Sequence, residues 1–196
     1  MEKIVFASTN KHKIHEVKEI LSNYEVLSLA DIGFTEEIDE TGTTTAENSK
    51  IKALAVRKFL NEKGDFETPV LADDAGLFIE SLNGEPGVYS ARYAGNHDNE
   101  ANRQKVLKNM QGKENRTAYF ECTICYAGKD VIKEFVGRTY GKITTEKIGS
   151  DAFGYDCLFF SDDLHKTFGQ ATDDEKNSVS HRGRALELLK EWLHSN

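Results

Sequence analysis

Three groups of residues in this chain have the types and spacing needed for chemistry on an anionic ligand. The first is acidic. Asp73-Asp74 follows the short apolar run Val70-Leu71-Ala72 and enters Ala75-Gly76. Carboxylates at the end of a strand in an α/β sheet sit where ligands bind. Mg2+ takes carboxylate oxygens together with substrate phosphates. Asp39 and Glu40 precede Thr41-Gly42 and could add another oxygen ligand. The competing reading of Asp73-Asp74 is a solvated turn. The second group is Ser8-Thr9-Asn10-Lys11-His12-Lys13, placed between a strand and a helix. Backbone N–H groups at a helix start favour anions, and Lys13 adds a point charge. The glycines of a Walker A loop are absent, and a plain helix cap explains the same residues. The third group is Phe153-Gly154-Tyr155-Asp156, followed by Lys176 and Ser180-His181-Arg182-Gly183-Arg184. Aromatic faces stack on planar bases, and Lys and Arg suit phosphate or carbonyl oxygen. A solvated basic helix face is the bland alternative. Together these are the parts of a Mg2+-dependent nucleotide hydrolase, although residue types alone do not choose the bond to be cleaved.

The elements that must position these groups are legible in outline. Ile4 to Ala7 reads as a strand, and Ile14, Val17 and Leu21 recur at helical spacing after a cap drawn from Ser8, Thr9 or Asn10. Glu25 to Leu29 reads as a second strand, so the chain opens as an α/β fold. Thr44-x-x-Glu47 matches a capping box, and Ile51, Leu54, Ala55 and Phe59 form the apolar stripe of the helix it starts. Asn61 to Pro69 is expected as a loop, and Val70 to Ala72 as a short strand ending at the aspartates. Asp98 to Met110 is expected to be helical. Thr117–Gly128 and Val131–Tyr140 read as antiparallel strands joined at Gly128-Lys129-Asp130. A polar loop from Gly149 to Asp156 leads to the apolar run Cys157 to Phe160. A closing helix buries Leu186, Leu189 and Leu193 with Ala185 and Trp192. The sheet is therefore expected to be mixed, with helices packed on it.

Composition narrows the class. The chain has 196 residues, 25 Lys and Arg against 33 Asp and Glu, and a formal charge of −8. That balance disfavours nucleic acid and anionic membranes as partners. Apolar residues make up 38% and charged residues 30%, as in a globular protein rather than a disordered one. No apolar run approaches the roughly 18 residues of a membrane span, and the first residues are too short for a signal peptide, so a cytoplasmic protein is expected. The three cysteines make no closed disulfide framework. Cys122-x-x-Cys125 lies among strand formers with no second ligand pair, so ordinary reduced strand cysteines are expected.

At these same residues the chain resembles the non-canonical purine nucleoside-triphosphate pyrophosphatases, the inosine/xanthosine triphosphatase-like family. The matching segments occur in order along nearly the whole chain. They are Ser8-x-Asn10-x-x-Lys13, Thr41-Gly42-Thr43-Thr44-x-x-Glu47-Asn48, Leu71-Ala72-Asp73-Asp74-x-Gly76-Leu77, Pro86 to Tyr93, Phe153-Gly154-Tyr155-Asp156, and Glu175-Lys176-Asn177 before Ser180-His181-Arg182-Gly183. The resemblance implies one pyrophosphatase domain over residues 1–196. It implies an elongated mixed α/β sheet with flanking helices, and two lobes around a central cleft. It implies a house-cleaning hydrolase that converts ITP, dITP and XTP to the monophosphate and pyrophosphate with Mg2+, typically as a homodimer. Carried over by residue, Ser8, Thr9, Asn10, Lys11, His12 and Lys13 would hold the triphosphate. Asp74 would be the general base, and Glu40 and Asp74 would bind the metal, with Asp73 close by. Ala75, Phe153, Gly154, Tyr155, Asp156, Lys176, His181 and Arg182 would complete the nucleotide site.

The chain departs from the family pattern at Ala75, where serine is usual, and at Cys157, where proline is common. Thr167-Phe168-Gly169-Gln170-Ala171 replaces a usual Thr-Phe-Ala-Glu-Leu and lacks its carboxylate. These changes are expected to tune activity rather than remove it. Two other readings use the same residues. One is a nucleotide-sensing module without catalysis, and the other is a hydrolase of a modified pyrimidine triphosphate.

Overall fold

The computed structural model describes residues Met1–Ser195. Its strands are β1 (Glu2–Phe6), β2 (Tyr24–Ser28), β3 (Val70–Ile79), β4 (Pro86–Gly87), β5 (Thr117–Ala127), β6 (Ile132–Ile143), β7 (Phe159–Ser161) and β8 (Lys166–Thr167). Its helices are α1 (Lys11–Ile20), α2 (Thr45–Glu62), α3 (Asn99–Asn109), α4 (Asp173–Val179) and α5 (His181–Ser195). The strands form a mixed sheet in the order β2-β1-β3-β5-β6-β7-β8, with β4 paired to β3. By residue contacts the chain divides into two compact units. The first holds Met1–Asp74, Cys122–Gly137 and the residues from Arg182 onward; the second holds Ala75–Glu121 and Arg138–His181.

The first unit opens as expected. Ile4, Val5 and Phe6 are all buried, the continuous apolar run of a strand covered on both faces. β1 pairs in parallel with β2, from Glu2 opposite Tyr24 to Phe6 opposite Ser28, and with β3 at Val5–Val70 and Phe6–Leu71. The turn between β1 and α1 is closed by Asn10. Its Oδ1 accepts from the His12 and Lys13 amides. This unit's core gathers Val5, Ala7, Leu29, Phe34, Ala53, Val56, Leu60, Val70, Ala72, Cys125 and Ala127.

Two expectations for this unit need correction. The capping box at α2 is half made. Thr44 accepts from the Glu47 amide, but the Glu47 carboxylate reaches back one residue further, to the Thr43 amide at 2.6 Å and hydroxyl at 3.0 Å. The buried face of α2 is also rotated from the predicted stripe. Thr45, Asn48, Ser49, Ala53, Val56, Arg57 and Leu60 are buried, while Leu54 is exposed. Polar partners inside the unit draw that face inward. One is the hydroxyl contact of Thr45 with Thr123, at 2.8 Å.

The strand at the aspartates departs most from expectation. It does not stop at Ala72 but runs ten residues to Ile79, with Asp73 and Asp74 inside it. In the second unit, β3 pairs with β4 at Leu77–Gly87 and Phe78–Pro86. Ser90 supports that pairing, since its hydroxyl accepts from the Leu77 amide and donates to the Gly87 carbonyl. Gly76 is what lets the two backbones meet. A Cβ there would strike the Gly87 carbonyl, and backbone cannot swing aside. Gly76→Ala is therefore expected to lose about 2 kcal/mol of stability in chemical denaturation, the ordinary cost of overpacking. An unchanged midpoint would remove this account of why the strand continues.

The second unit packs around Leu77, Ile79, Tyr93, Val106, Met110, Phe120, Ile143, Tyr155, Leu158, Phe159 and Phe168. β6 pairs antiparallel with β7, and β7 with β8. The expected hairpin between β5 and β6 is present, closed by the Gly128 amide on the Val131 carbonyl at 2.8 Å. Cys122, Cys125 and Cys157 are buried free thiols. The chain ends on two helices rather than one. α4 has its own capping box between Thr172 and Glu175, and Ser180 separates it from α5. On α5, Ala185, Leu186 and Leu189 are fully buried, whereas Trp192 and Leu193 are only partly so. No described helix is long and apolar enough to cross a membrane.

Candidate active site

In the first unit five elements converge on the aspartates. β3 carries Asp73 and Asp74, α1 brings Lys13, α2 brings Asn48 and Lys52, the segment before α2 brings Glu40, and the first turn of α5 brings Arg182. Asp73 is 1% exposed. Lys13 Nζ lies 3.1 Å from its Oδ1 and 3.0 Å from its Oδ2, and Arg182 Nε donates to Oδ2 at 3.0 Å. Arg182 is held in turn by Glu16, Nη1 to Oε2 at 2.6 Å. Burial alone would push the Asp73 carboxyl up. Lys13, Arg182 and Lys52 overcome it and hold Asp73 well below the usual carboxylate range. Asp73 is thus a fixed anion that orders two cations.

Asp74, its neighbour, is tuned the other way. Burial pushes its carboxyl up to about 6, and Glu40 adds to the rise. Lys52 and a hydrogen bond from Asn48 oppose it. Asn48 Nδ2 donates to Asp74 Oδ2 at 3.1 Å while its Oδ1 accepts from the Gly42 amide at 2.8 Å. One amide side chain thereby fixes the carboxylate and the Thr41-Gly42 loop. Lys52 Nζ stands 2.9 Å from Glu40 Oε1 and 4.0 Å from Asp74 Oδ1. Burial works against the Lys52 charge, but Asp73, Asp74 and Glu40 raise its pKa overall. Lys52 was missed in the sequence because it sits beside the apolar stripe. The available signal was Asn48, one helical turn earlier on the same face.

The residues before α1 do less than their composition suggests. Ser8 Oγ accepts from the Asn10 amide at 3.2 Å, and Asn10 caps the helix. Thr9, Asn10, Lys11 and His12 are exposed. The His12 and Lys13 amides of α1 are therefore already engaged by Asn10. From this segment Lys13 reaches the Asp73 carboxylate. Cys122 Sγ lies 3.9 Å from Asp73 Oδ2, and burial pushes its thiol up to about 12, so it is inert.

The second unit holds the aromatic group. Lys176 Nζ bonds Asp156 Oδ2 at 2.6 Å and lies 4.6 Å from the centroid of the Phe153 ring. Tyr155 donates its hydroxyl to the Ser90 carbonyl at 2.6 Å, which anchors the loop from below. The His181 ring stacks on Phe120, 4.9 Å away at 14°. Ser180, His181 and Arg182 are all buried, which excludes a solvated basic face. Arg182 lies with Asp73 in the first unit rather than with Phe153. Ala75 is half-buried on β3. Cys157 is buried, and its carbonyl accepts from the Ile148 amide at 2.9 Å. The carboxylate missing at Gln170 is replaced by its amide oxygen, which accepts from the Thr167 amide at 3.1 Å.

Among the described residues, no three His, Cys, Asp or Glu side chains gather closely enough to cage a metal. Glu40 and Asp74, which share Lys52, are two oxygen donors facing one cation. That set fits Mg2+, which binds through one or two carboxylates and completes its shell with water and substrate phosphate.

Fold and site together define an α/β protein built around a carboxylate–ammonium centre suited to phosphate chemistry. The chain belongs to the Ham1 family, whose model matches residues 4–192. It is 46% identical over 202 residues to a dITP/XTP pyrophosphatase of Bacillus subtilis, covering 100% of this chain and 98% of that one. It is 45% identical over 201 residues to one of Clostridium perfringens, covering 98% of each. The Staphylococcus aureus Ham1 protein has a similar structure, with a TM-score of 0.89 at 39% identity and 99% coverage of both chains.

Proposed function

We infer that this chain is a dITP/XTP pyrophosphatase acting over its whole length as one catalytic domain. The observation that carries the reading is the opposed tuning of adjacent carboxylates. Asp73 stays an anion that orders Lys13 and Arg182, while Asp74 has a proton affinity near neutrality. Water attacks the α-phosphorus, the bond to the β-phosphate oxygen breaks, and pyrophosphate leaves. Asp74 accepts the proton from the attacking water. Lys13 and Arg182 offset the charge of the phosphates. Mg2+ would be held by Glu40 and Asp74 and, when bound, withdraws charge from the phosphoryl oxygens.

Phe153 would stack on the base, with Gly154, Tyr155, Asp156, Lys176 and His181 around it. A donor aimed at the 6-oxo group is left unpaired by adenine, which presents an amino group there. Guanine shares the 6-oxo group, so its exclusion must act at the 2-position. Free nucleotides are the partners; the resemblance supports a cytoplasmic homodimer.

The test is pyrophosphate release from ITP, dITP, XTP, ATP, GTP and dUTP, each with and without Mg2+. Mg2+-dependent release confined to the first three is expected. Phe153→Ala should raise KM for dITP about tenfold, the scale of one lost base–aromatic stack. Release chiefly from GTP or dUTP would overturn the base assignment, and release from none would favour a nucleotide sensor.

A further inference from the structure

We propose that Arg103, on α3, is a positioning residue that sets the affinity for the purine by clamping the loop that carries Phe153. Its side chain is 5% exposed. Nη1 donates to the Gly154 carbonyl at 2.7 Å and to the Asp151 carbonyl at 3.2 Å. The two acceptors bracket Ala152 and Phe153, so one planar group fixes both ends of the segment that presents the ring. Gly154 has a φ of 46°, a left-handed conformation that aims its carbonyl and is open to glycine at little cost.

The clamp is itself held. Glu100 Oε2 accepts from Arg103 Nε at 3.1 Å and Nη2 at 2.9 Å, a two-point grip that locks the guanidinium plane. Gln104 donates to the other Glu100 oxygen at 2.8 Å. Lys147 bonds Glu100 at 3.1 Å and Asp151 at 3.2 Å, which closes the circuit from the helix to the start of the loop. Hydrogen bonds from Gln104, Arg103 and Lys147 pull the Glu100 carboxyl down to about 2, so the grip persists through neutral and mildly acid conditions. Five N–H donors in a rigid fork suit this task, and lysine offers no such plane. Neither Glu100 nor Arg103 has a role in proton transfer or phosphate binding in the mechanism above.

The proposal rests on the reading of Phe153 as the base-stacking residue. Its test is steady-state kinetics of the Mg2+-loaded enzyme with dITP, on Arg103→Leu, Arg103→Lys, Glu100→Gln, Phe153→Ala and the Arg103→Leu/Phe153→Ala double variant. Arg103→Leu should raise KM about tenfold with kcat within about twofold, and Arg103→Lys should restore part of the loss. The double variant should have the KM of Phe153→Ala alone, because both changes remove one contact. If Arg103→Leu does not fold, Glu100→Gln, at a half-buried position, carries the test with a KM rise of about threefold. Additive effects, or a loss of kcat without a change in KM, would overturn the proposal. Phe153→Ala raising KM while Arg103→Leu and Glu100→Gln leave it unchanged would do the same, with the base-pocket reading intact. An unchanged KM in Phe153→Ala would instead defeat the base-pocket reading itself, and the clamp with it.

Discussion

Asp74→Asn is expected to lower kcat about a thousandfold, the scale of losing a positioned general base, while nucleotide affinity changes little. The asparagine keeps the shape and an acceptor for Asn48, whose amide lies 3.1 Å from Asp74 Oδ2. What it loses is the capacity to take a proton and the negative charge of one of the two carboxylates that would hold Mg2+. The same substitution should stabilise the metal-free protein. The folded Asp74 carboxyl is raised to about 6, so the native state binds a proton more tightly than the unfolded chain does. Its ionised form therefore detracts from stability. That deficit is absent below about pH 4, grows as pH rises, and reaches at most about 3 kcal/mol above pH 6. Thermal unfolding in a chelator should show Asp74→Asn gaining on the native sequence across that interval. Turnover within about tenfold of the native rate would dismiss Asp74 as the base. A stability difference independent of pH would dismiss the account of its tuning.

The two behaviours of this pair explain why the sequence was only partly legible. The opening strand, helix and strand were readable because their signals are local: a buried run at Ile4 to Phe6, a cap at Asn10 and apolar residues at helical spacing. The strand from Val70 was expected to end at Asp73-Asp74 because two acids before a glycine ordinarily solvate, whereas β3 runs on to Ile79. Their burial inside β3 depends on cations from residues 13, 52 and 182, which no local window contains. Lys52 and Arg103 escaped notice for a related reason. A charged residue on a helix, whether beside an apolar stripe as Lys52 is or among polar neighbours as Arg103 is, reads as solvated, yet both point inward to fixed acceptors. The aromatic and basic residues near the end were visible as types. Only the structure separates Arg182, which binds Asp73, from Lys176, which binds Asp156.

Asp73→Asn should behave oppositely to Asp74→Asn and cost about 3–5 kcal/mol at neutral pH. Asp73 is a buried anion in contact with two cations. Neutralising it leaves Lys13 and Arg182 facing each other, with Arg182 still held by Glu16 at 2.6 Å. Its carboxyl is held below the usual range, so its ionised form stabilises the native state at every pH above the ordinary carboxylate value. That contribution is lost as pH falls through the depressed native value, which lies under about pH 4. The stability gap between Asp73→Asn and the native sequence should therefore stay constant from neutrality down to the ordinary carboxylate value near pH 4 and narrow below it, toward the depressed native value. Urea denaturation at a series of pH values measures the gap. A variant as stable as the native sequence at neutral pH would mean that the two cations find other partners, and that Asp73 does not organise them. Turnover should fall as well, since Lys13 is oriented by this carboxylate, so adjacent aspartates would share a loss of activity while moving stability in opposite directions.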